Sequence, residues 1–480
     1  MSYAVTDRPE ILPHDLRALA RPPRWLRASA DPAALRSALT RCVAEIASGA
    51  IELRECDVRR VRIKSEGCVA SYRVSVADAD AAAERVVDLR GELLPPGRPS
   101  LRVSAAGAFG EAGWRRWVPD LRMVMTTEPP DTVLEALPAL TDPQAASELV
   151  ERAVRGCSPA YAGFRTGSCV PNVARYKPGS RCTIVYDLGL APDAPADWPR
   201  AVVAKTYHGD KGRTAFDGMH ALWESPMRRS RIAIAEPLGF LPAERVLVQR
   251  AIPHRRTLKD LLRASLTSGS PAALGELRSC IERTAHGLAA LHRSGAHAVQ
   301  TVTWDDEAAE IREVSGRLSA LVPALSGRAE RLLETAARSA ASHPAEPPVP
   351  AHGSFRPAQV VLDDAGAIGF IDFDGFCLAE PAMDVAQFRG TLRDVGLRAL
   401  EVQPHTRPHD ENLAQLDAEC ERFLAAYEEA APISRARVAI WETTYALVAV
   451  LHCWTKVKFD RLPYRLAVLQ RQLLPRAETT

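Results

Sequence analysis

Among the ten cysteines, scattered from Cys42 to Cys453, there is no C-x-x-C pair and no alternation with histidine. That excludes the usual structural zinc spacings and leaves reduced, mostly buried thiols, as expected of a cytoplasmic protein. An excess of one charge is also missing. Lys and Arg total 61 against 59 Asp and Glu, a formal net charge of +2, so neither nucleic acid nor a membrane surface is expected as a partner. Long apolar runs are absent as well. Met1 to Leu16 carries Asp7, Glu10, Asp15 and prolines where an export signal would need an uninterrupted apolar stretch, so none is expected. The most apolar late segment, Val438–Trp454, is interrupted by Glu442. It falls short of the roughly 20 residues of a membrane span and reads as a buried helix.

What is present is globular: 46% hydrophobic and 25% charged residues in a chain of 480, too long for one ordinary core. Pro32–Ile46 has helical spacing, whereas Ile51–Ile63 and Cys68–Val76 alternate and are β-branched, as strands are. Residues 1–150 therefore read as an extra α/β region with no visible chemistry, followed by 151–253 and 254–480. Its expected role is to buttress the sheet lobe or cover an acceptor cleft. Leu93–Ser100, rich in proline and glycine, reads as a loop. One internal echo stands out. Arg62 to Tyr72 resembles Arg175 to Tyr186: a basic strand, a tight turn and a second strand ending in tyrosine. Chance and a duplicated hairpin layer both account for it at this level.

From residue 172 the pattern predicts strands at Asn172–Tyr176, Arg181–Leu188 and Ala201–Tyr207, the first two joined by a Lys177-Pro-Gly-Ser turn. A helix is predicted over Arg213–Glu224 and a strand over Arg245–Ala251. Beyond Leu258 the sequence is almost wholly helical until Ala340, with helices at Pro271–Arg293, Asp305–Leu321 and Arg328–Ala340. One β-rich island interrupts the helical half, from His352 to Asp374. Gln359–Leu362 and Ile368–Asp372 read as strands around an Asp363-Asp-Ala-Gly turn. A hairpin symmetric about Ala365–Gly366 would oppose Gln359 to Asp372, an amide oxygen and a carboxylate suited to Mg²⁺. A surface hairpin whose Asp caps a turn has the same pattern.

The island resembles the catalytic loop and metal-binding motif of the aminoglycoside phosphotransferase and choline kinase group, in the protein-kinase-like superfamily. The residues that carry the resemblance are His352, Gly353, Pro357, Ile371-Asp372-Phe373 and Glu380-Pro-Ala-Met-Asp384-Val. The resemblance implies an α+β, two-lobed kinase-like fold, with a small antiparallel-sheet lobe (151–253) and a mainly helical lobe (254–480). It implies ATP and Mg²⁺ as cofactors and a small-molecule acceptor. Lys205, at the end of Ala201-Val-Val-Ala-Lys205, then binds the α- and β-phosphates with Glu224 as its partner. Gln249 and Ala251 lie in the hinge that holds the nucleotide, Lys177-Pro-Gly-Ser covers it, and Asp372 and Gln359 hold the metal.

Two departures bear on chemistry: the family's catalytic Asp is Ser354 here, and its metal-ligand Asn is Gln359. Serine at neutral pH is no proton acceptor. Asp374 could hold a second Mg²⁺ or take the proton, Arg356 could contact the γ-phosphate or an anionic acceptor, and His352 braces the loop. Asp384, at a helix start, anchors that loop. The expectation is a phosphotransferase acting on a hydroxyl of a sugar, aminocyclitol or other metabolite. The alternatives are an inactive pseudokinase that binds nucleotide or a partner, and nucleotidyl transfer on the same fold.

Overall fold

The computed structural model describes residues 13–64, 67–78, 84–94, 106–129, 131–400 and 409–473. Two compact units are formed: residues 1–130 with 305–341 and 443–480, and residues 131–304 with 342–442. The predicted loop at Leu93–Ser100 lies largely outside the described residues, and its first residue ends a strand.

In the first unit, Asp31 caps helix α1 (Pro32–Cys42), its side chain accepting from the Ala33 N–H at 2.9 Å. Five antiparallel strands follow: β1 (Ile51–Lys64), β2 (Gly67–Asp78), β3 (Glu84–Leu93), β4 (Arg115–Val118) and β5 (Met123–Thr127), in the order β1-β2-β3-β5-β4. Alternation along β2 sends Cys68, Ala70, Tyr72, Val74 and Val76 into the core. The α-helices of this unit lie before the sheet or after it in the chain and do not alternate with its strands. Asp15 is buried here and accepts from Arg328 at 2.6 Å and Arg331 at 2.7 Å.

The second unit opens on α2 (Pro143–Cys157), capped by Asp142, whose side chain accepts from the Ala145 N–H at 2.8 Å. Its apolar stripe of Ala146, Leu149, Val150, Ala153 and Val154, at the spacing of one helix face, packs on a second antiparallel sheet. That sheet consists of β6 (Ser168–Lys177), β7 (Arg181–Gly189), β8 (Ala201–Tyr207), β10 (Pro237–Leu241) and β11 (Val246–Arg250), in the order β10-β11-β8-β7-β6. Cys182, Ile184, Tyr186, Val202, Ala204, Val246 and Val248 face α2 in the core. Period-2 alternation then puts Arg181, Thr183, Lys205, Tyr207, Leu247 and Gln249 on the opposite face. Helix α3 (Lys211–Glu224) follows β8.

The helical part begins with α4 (Leu258–Ser268), opened by a capping box of Thr257 and Asp260, and α5 (Pro271–His292). It continues with α6 (Pro381–Leu400) and α7 (His409–Ala430). The predicted island is wider than the sequence suggested. β15 (Val360–Leu362) and β16 (Ile368–Phe370) are joined by β12 (Arg256–Thr257) and, in parallel, by β9 (Ile232–Ile234). A third small sheet orders β13 (Thr301–Val302), β17 (Cys377–Ala379) and β14 (Val349–Ala351). Glu442, which interrupts the apolar run at 438–454, is buried and accepts from Arg389 at 2.7 Å and Arg393 at 2.6 Å. Among the described residues no helix is long and apolar enough to cross a membrane.

Candidate active site

The hairpin register differs from the expected one by a single residue. Val360 pairs with Phe370 and Leu362 with Ile368, so Gln359 is opposed by Ile371, whose N–H donates to the Gln359 carbonyl at 3.0 Å. The turn is a five-residue loop from Asp363 to Ala367, closed by a bond from the Asp363 N–H to the Ala367 carbonyl at 3.1 Å, and not a turn centred between Ala365 and Gly366. A shift of one residue sends a strand's side chains to the other face. Gln359 is therefore not set against Asp372; its amide donates to the Ser354 hydroxyl at 3.1 Å, and its buried Oε1 has no hydrogen-bond partner.

Just past β16, Asp372 has a left-handed backbone with φ of 69°, a conformation that non-glycine residues adopt under local constraint. It directs its carboxylate to Lys205, whose Nζ donates to Asp372 Oδ1 at 2.9 Å and to Asp374 Oδ1 at 2.6 Å. Arg181 completes the cluster by donating to Asp374 Oδ2 at 2.8 Å. Burial opposes the charged forms of Lys205 and Asp372. The Asp374 and Asp372 carboxylates outweigh it and raise the Lys205 ammonium above its ordinary value. Lys205 and Arg181 in turn hold Asp372 well below the usual carboxylate range. Tyr207, buried beside Asp374, is pushed up by burial and then by that carboxylate, so its phenol stays neutral.

Lys205 does not meet Glu224. That residue is exposed at the last position of α3, and the lysine's partners come from the segment after β16. Near the middle of α3, Gly218 leaves room for the Phe376 ring. The Ala251 N–H donates to the Ala201 carbonyl at 3.0 Å and extends the sheet pairing by one residue. Gln249 is buried on the Lys205 face, and its Oε1 has no partner.

The loop from 352 to 359 is held by its backbone. Asp384, fully buried in the first turn of α6, accepts from the N–H of His352 at 2.6 Å and of Gly353 at 3.0 Å. His292 approaches the same carboxylate at 3.3 Å. Gly353 has φ of 76°, and a Cβ there would overlap the Gly375 carbonyl oxygen, so only glycine fits. The His352 ring packs on Phe373 with centroids 4.5 Å apart, and its Nε2 bonds the Ile371 carbonyl at 3.0 Å. Complete burial lowers the imidazole below its ordinary value and keeps it neutral. It is a brace. Arg356 lies largely buried on the same loop, with a buried Nε that has no partner; Arg181 also has such an Nε.

The Lys177–Ser180 turn is tied down by side chains from outside it. Pro178 and Gly179 occupy the second and third turn positions, with Gly179 at φ of 64°, and the Ser180 N–H donates to the Lys177 carbonyl at 3.0 Å. Asp131 Oδ2 accepts from the Gly179 N–H and the Tyr176 hydroxyl, each at 2.8 Å. Its other oxygen accepts from the N–H groups of Val133 at 3.0 Å and Leu134 at 3.2 Å. No motif or spacing pointed to Asp131. Arg181 was missed too; its only signal was a basic residue at the start of a predicted strand.

For a divalent cation, the donor set is two carboxylates with the unpartnered oxygen of Gln359 on the adjoining loop. Mg²⁺ commonly uses one or two carboxylates and completes its shell with phosphate and water, so these residues fit a cation shared with a nucleotide. No group of three or more His, Cys, Asp or Glu side chains among the described residues makes a site from protein alone.

The second unit thus brings a buried lysine of an antiparallel sheet to two aspartates, next to a loop held by its backbone. Residues 231–400 match the model of the phosphotransferase enzyme family, APH. Solved structures similar to the chain include a glucosamine kinase in complex with glucosamine, ADP and inorganic phosphate. It is 18% identical, with 94% of this chain and 100% of that one covered and a TM-score of 0.45. Choline kinase LicA from Streptococcus pneumoniae is 14% identical, with 68% and 97% covered and a TM-score of 0.43. An aminoglycoside phosphotransferase from Streptomyces rimosus is 18% identical, with 63% and 97% covered and a TM-score of 0.39. No curated protein sequence matches the chain significantly.

Proposed function

We propose that the chain is an ATP- and Mg²⁺-dependent phosphotransferase that phosphorylates a hydroxyl of a small molecule such as a sugar or aminocyclitol in the cytoplasm. The observation that carries this reading is the convergence of Lys205, Asp372, Asp374 and Arg181 below the loop 352–359. In this reading the sheet part, 151–253, carries the nucleotide, and the helical part from 254 onward carries the acceptor. Lys205 and Arg181 bind phosphate oxygens, and Arg356 takes the transferring γ-phosphoryl group. Asp372 and Asp374, with Gln359, would hold Mg²⁺, which when bound neutralises charge on the phosphates. The acceptor oxygen forms a bond to phosphorus as the bond to the β-phosphate oxygen breaks, ADP leaves, and the hydroxyl proton passes to solvent.

Ser354 cannot take that proton, but a loose transition state places most of the work on positioning and charge neutralisation. Both Asp374 oxygens are engaged by Lys205 and Arg181, so Asp374 serves as their counterion before any ligand enters. The test is turnover of ATP against a panel of sugars, amino sugars, aminocyclitols and amino alcohols, with the product mass distinguishing phosphoryl from nucleotidyl transfer. Ser354→Asp should raise the rate by about 10²-fold or more, the usual contribution of a positioned base. Absence of turnover in both proteins would reject the reading.

A second reading is favoured by the hydrogen bond from Gln359 to Ser354, which occupies the neutral residue at the catalytic position. In it the chain binds nucleotide or a partner without turnover. Nucleotide binding that Asp372→Ala abolishes, with no product from any acceptor, would select it.

A further inference from the structure

The echo between Arg62–Tyr72 and Arg175–Tyr186 extends far beyond the two hairpins. Each segment begins with an Asp-Pro step in which the aspartate caps a helix, Asp31 for α1 and Asp142 for α2. Each then contributes five antiparallel strands to one sheet, whose spatial order, numbered within that sheet, is first, second, third, fifth, fourth; in the second copy α3 and the short β9, which pairs in another sheet, come between the third and fourth. Each second strand carries a buried Cys followed four residues later by a buried Tyr, Cys68 and Tyr72 in one and Cys182 and Tyr186 in the other. The two tyrosine hydroxyls make the same bond. Tyr72 donates to the Ser29 carbonyl at 2.8 Å and Tyr186 to the Leu140 carbonyl at 2.6 Å, in each case two residues before the capping aspartate.

Strand registers agree as well. With the tyrosines aligned, the row across the first sheet reads Arg62, Val69, Glu92, Val124, Trp117. The row across the second reads Arg175, Thr183, Lys205, Leu247, Phe240. Basic, β-branched, charged, aliphatic and aromatic residues fall in the same order. An antiparallel meander is a common motif, but nothing in that motif dictates the capping aspartate, the tyrosine bond and the register together.

We infer that residues 31–127 are a second copy of the sheet lobe formed by residues 142–250, and that this copy has lost the capacity to hold a triphosphate. The decisive position is Glu92, which stands where the other copy has Lys205. Lys205 is buried against two carboxylates, whereas Glu92 is exposed and, among the described residues, bonded to Arg90, two residues away on the same strand. A carboxylate at the phosphate-binding position repels a polyphosphate, so the chain has one nucleotide site. The clause about nucleotide rests on the proposed function; the duplication does not.

Two measurements on the full chain separate them. In the first, Arg175–Tyr186 replaces Arg62–Tyr72, with a control that carries the same twelve residues in reverse order. The graft should keep a single cooperative unfolding transition, with Tm lowered by about 5–10 °C for the repacking of Ile63 and Ala70. The control should lose that transition. A graft as disruptive as its control would overturn the duplication. In the second, calorimetric titration with ATP and Mg²⁺ should give one nucleotide per chain, and none in Lys205→Met. Two nucleotides per chain would overturn the loss of the second site. If the wild type binds none, the nucleotide reading of Lys205 fails, and the graft alone decides the duplication.

Discussion

Replacing Lys205 by methionine should introduce, between pH 5 and 7, a pH dependence of stability that the wild-type cluster lacks. In the wild type the ammonium, 6% exposed, lies between carboxylates that are 25% and 16% exposed. Removing one partner of a fully buried ion pair costs about 3–5 kcal/mol. Arg181 still neutralises Asp374, and Asp372 retains some water, so the expected loss here is about 2 kcal/mol, or about 4–8 °C in Tm for a unit of this size. The depressed Asp372 contributes stability above its unfolded value of about 3.9, and the raised Lys205 contributes below about 10.5. Between pH 5 and 7 the wild-type contribution is therefore flat. Without the lysine, burial dominates and pushes Asp372 above its unfolded value. The folded variant then binds more protons than the unfolded chain, so it gains stability as pH falls from 7 to 5, by roughly 1 kcal/mol. Urea melts of both proteins at pH 5, 6 and 7 measure this. Parallel pH profiles, or a variant within experimental error of wild type, would refute the pairing.

Asp384→Ala strips two backbone N–H groups and His292 of their acceptor in a buried place; a loss of about 3 kcal/mol is expected in denaturant melts. Gly353→Ala should give no soluble folded protein, since its Cβ overlaps the Gly375 carbonyl; a normal yield with normal melting would contradict that. Asp131→Ala should speed amide exchange at residues 176–180 and weaken nucleotide binding severalfold while Tm stays within a few degrees, because the hydrogen bonds of the carboxylate among the described residues go to Tyr176, the turn and the segment 131–134. Unchanged exchange would show that the turn is held by its own Lys177–Ser180 bond.

The sequence was most legible where a single physical pattern fixed the answer. Ala201–Tyr207 is a strand over the residues expected, because a β-branched run follows a proline-rich loop. The helices Pro271–His292 and Lys211–Glu224 begin or end within two residues of expectation. Motif order put Lys205 and Asp372 in one site before any geometry, and the two side chains do pair, at 2.9 Å. What failed depended on distances in space. Glu224 sits at the end of a helix about 20 Å long, and spacing along the chain could not show that it points away from the lysine. The register at Gln359 turned on whether Ala365 belonged to a four- or five-residue loop, which composition does not settle. Asp131 was invisible because it acts through backbone groups of a turn nearly fifty residues away.

The grip of Asp384 on the catalytic loop has a further consequence. It holds the backbone of His352 and Gly353, and residue 354 takes no part in it. The shape of the loop and its reactivity are therefore stored in different side chains. A substitution at 354 can change or extinguish the chemistry without disturbing the scaffold, so the loop can lose a function, or recover one by a single codon change, while the protein around it goes on folding as before.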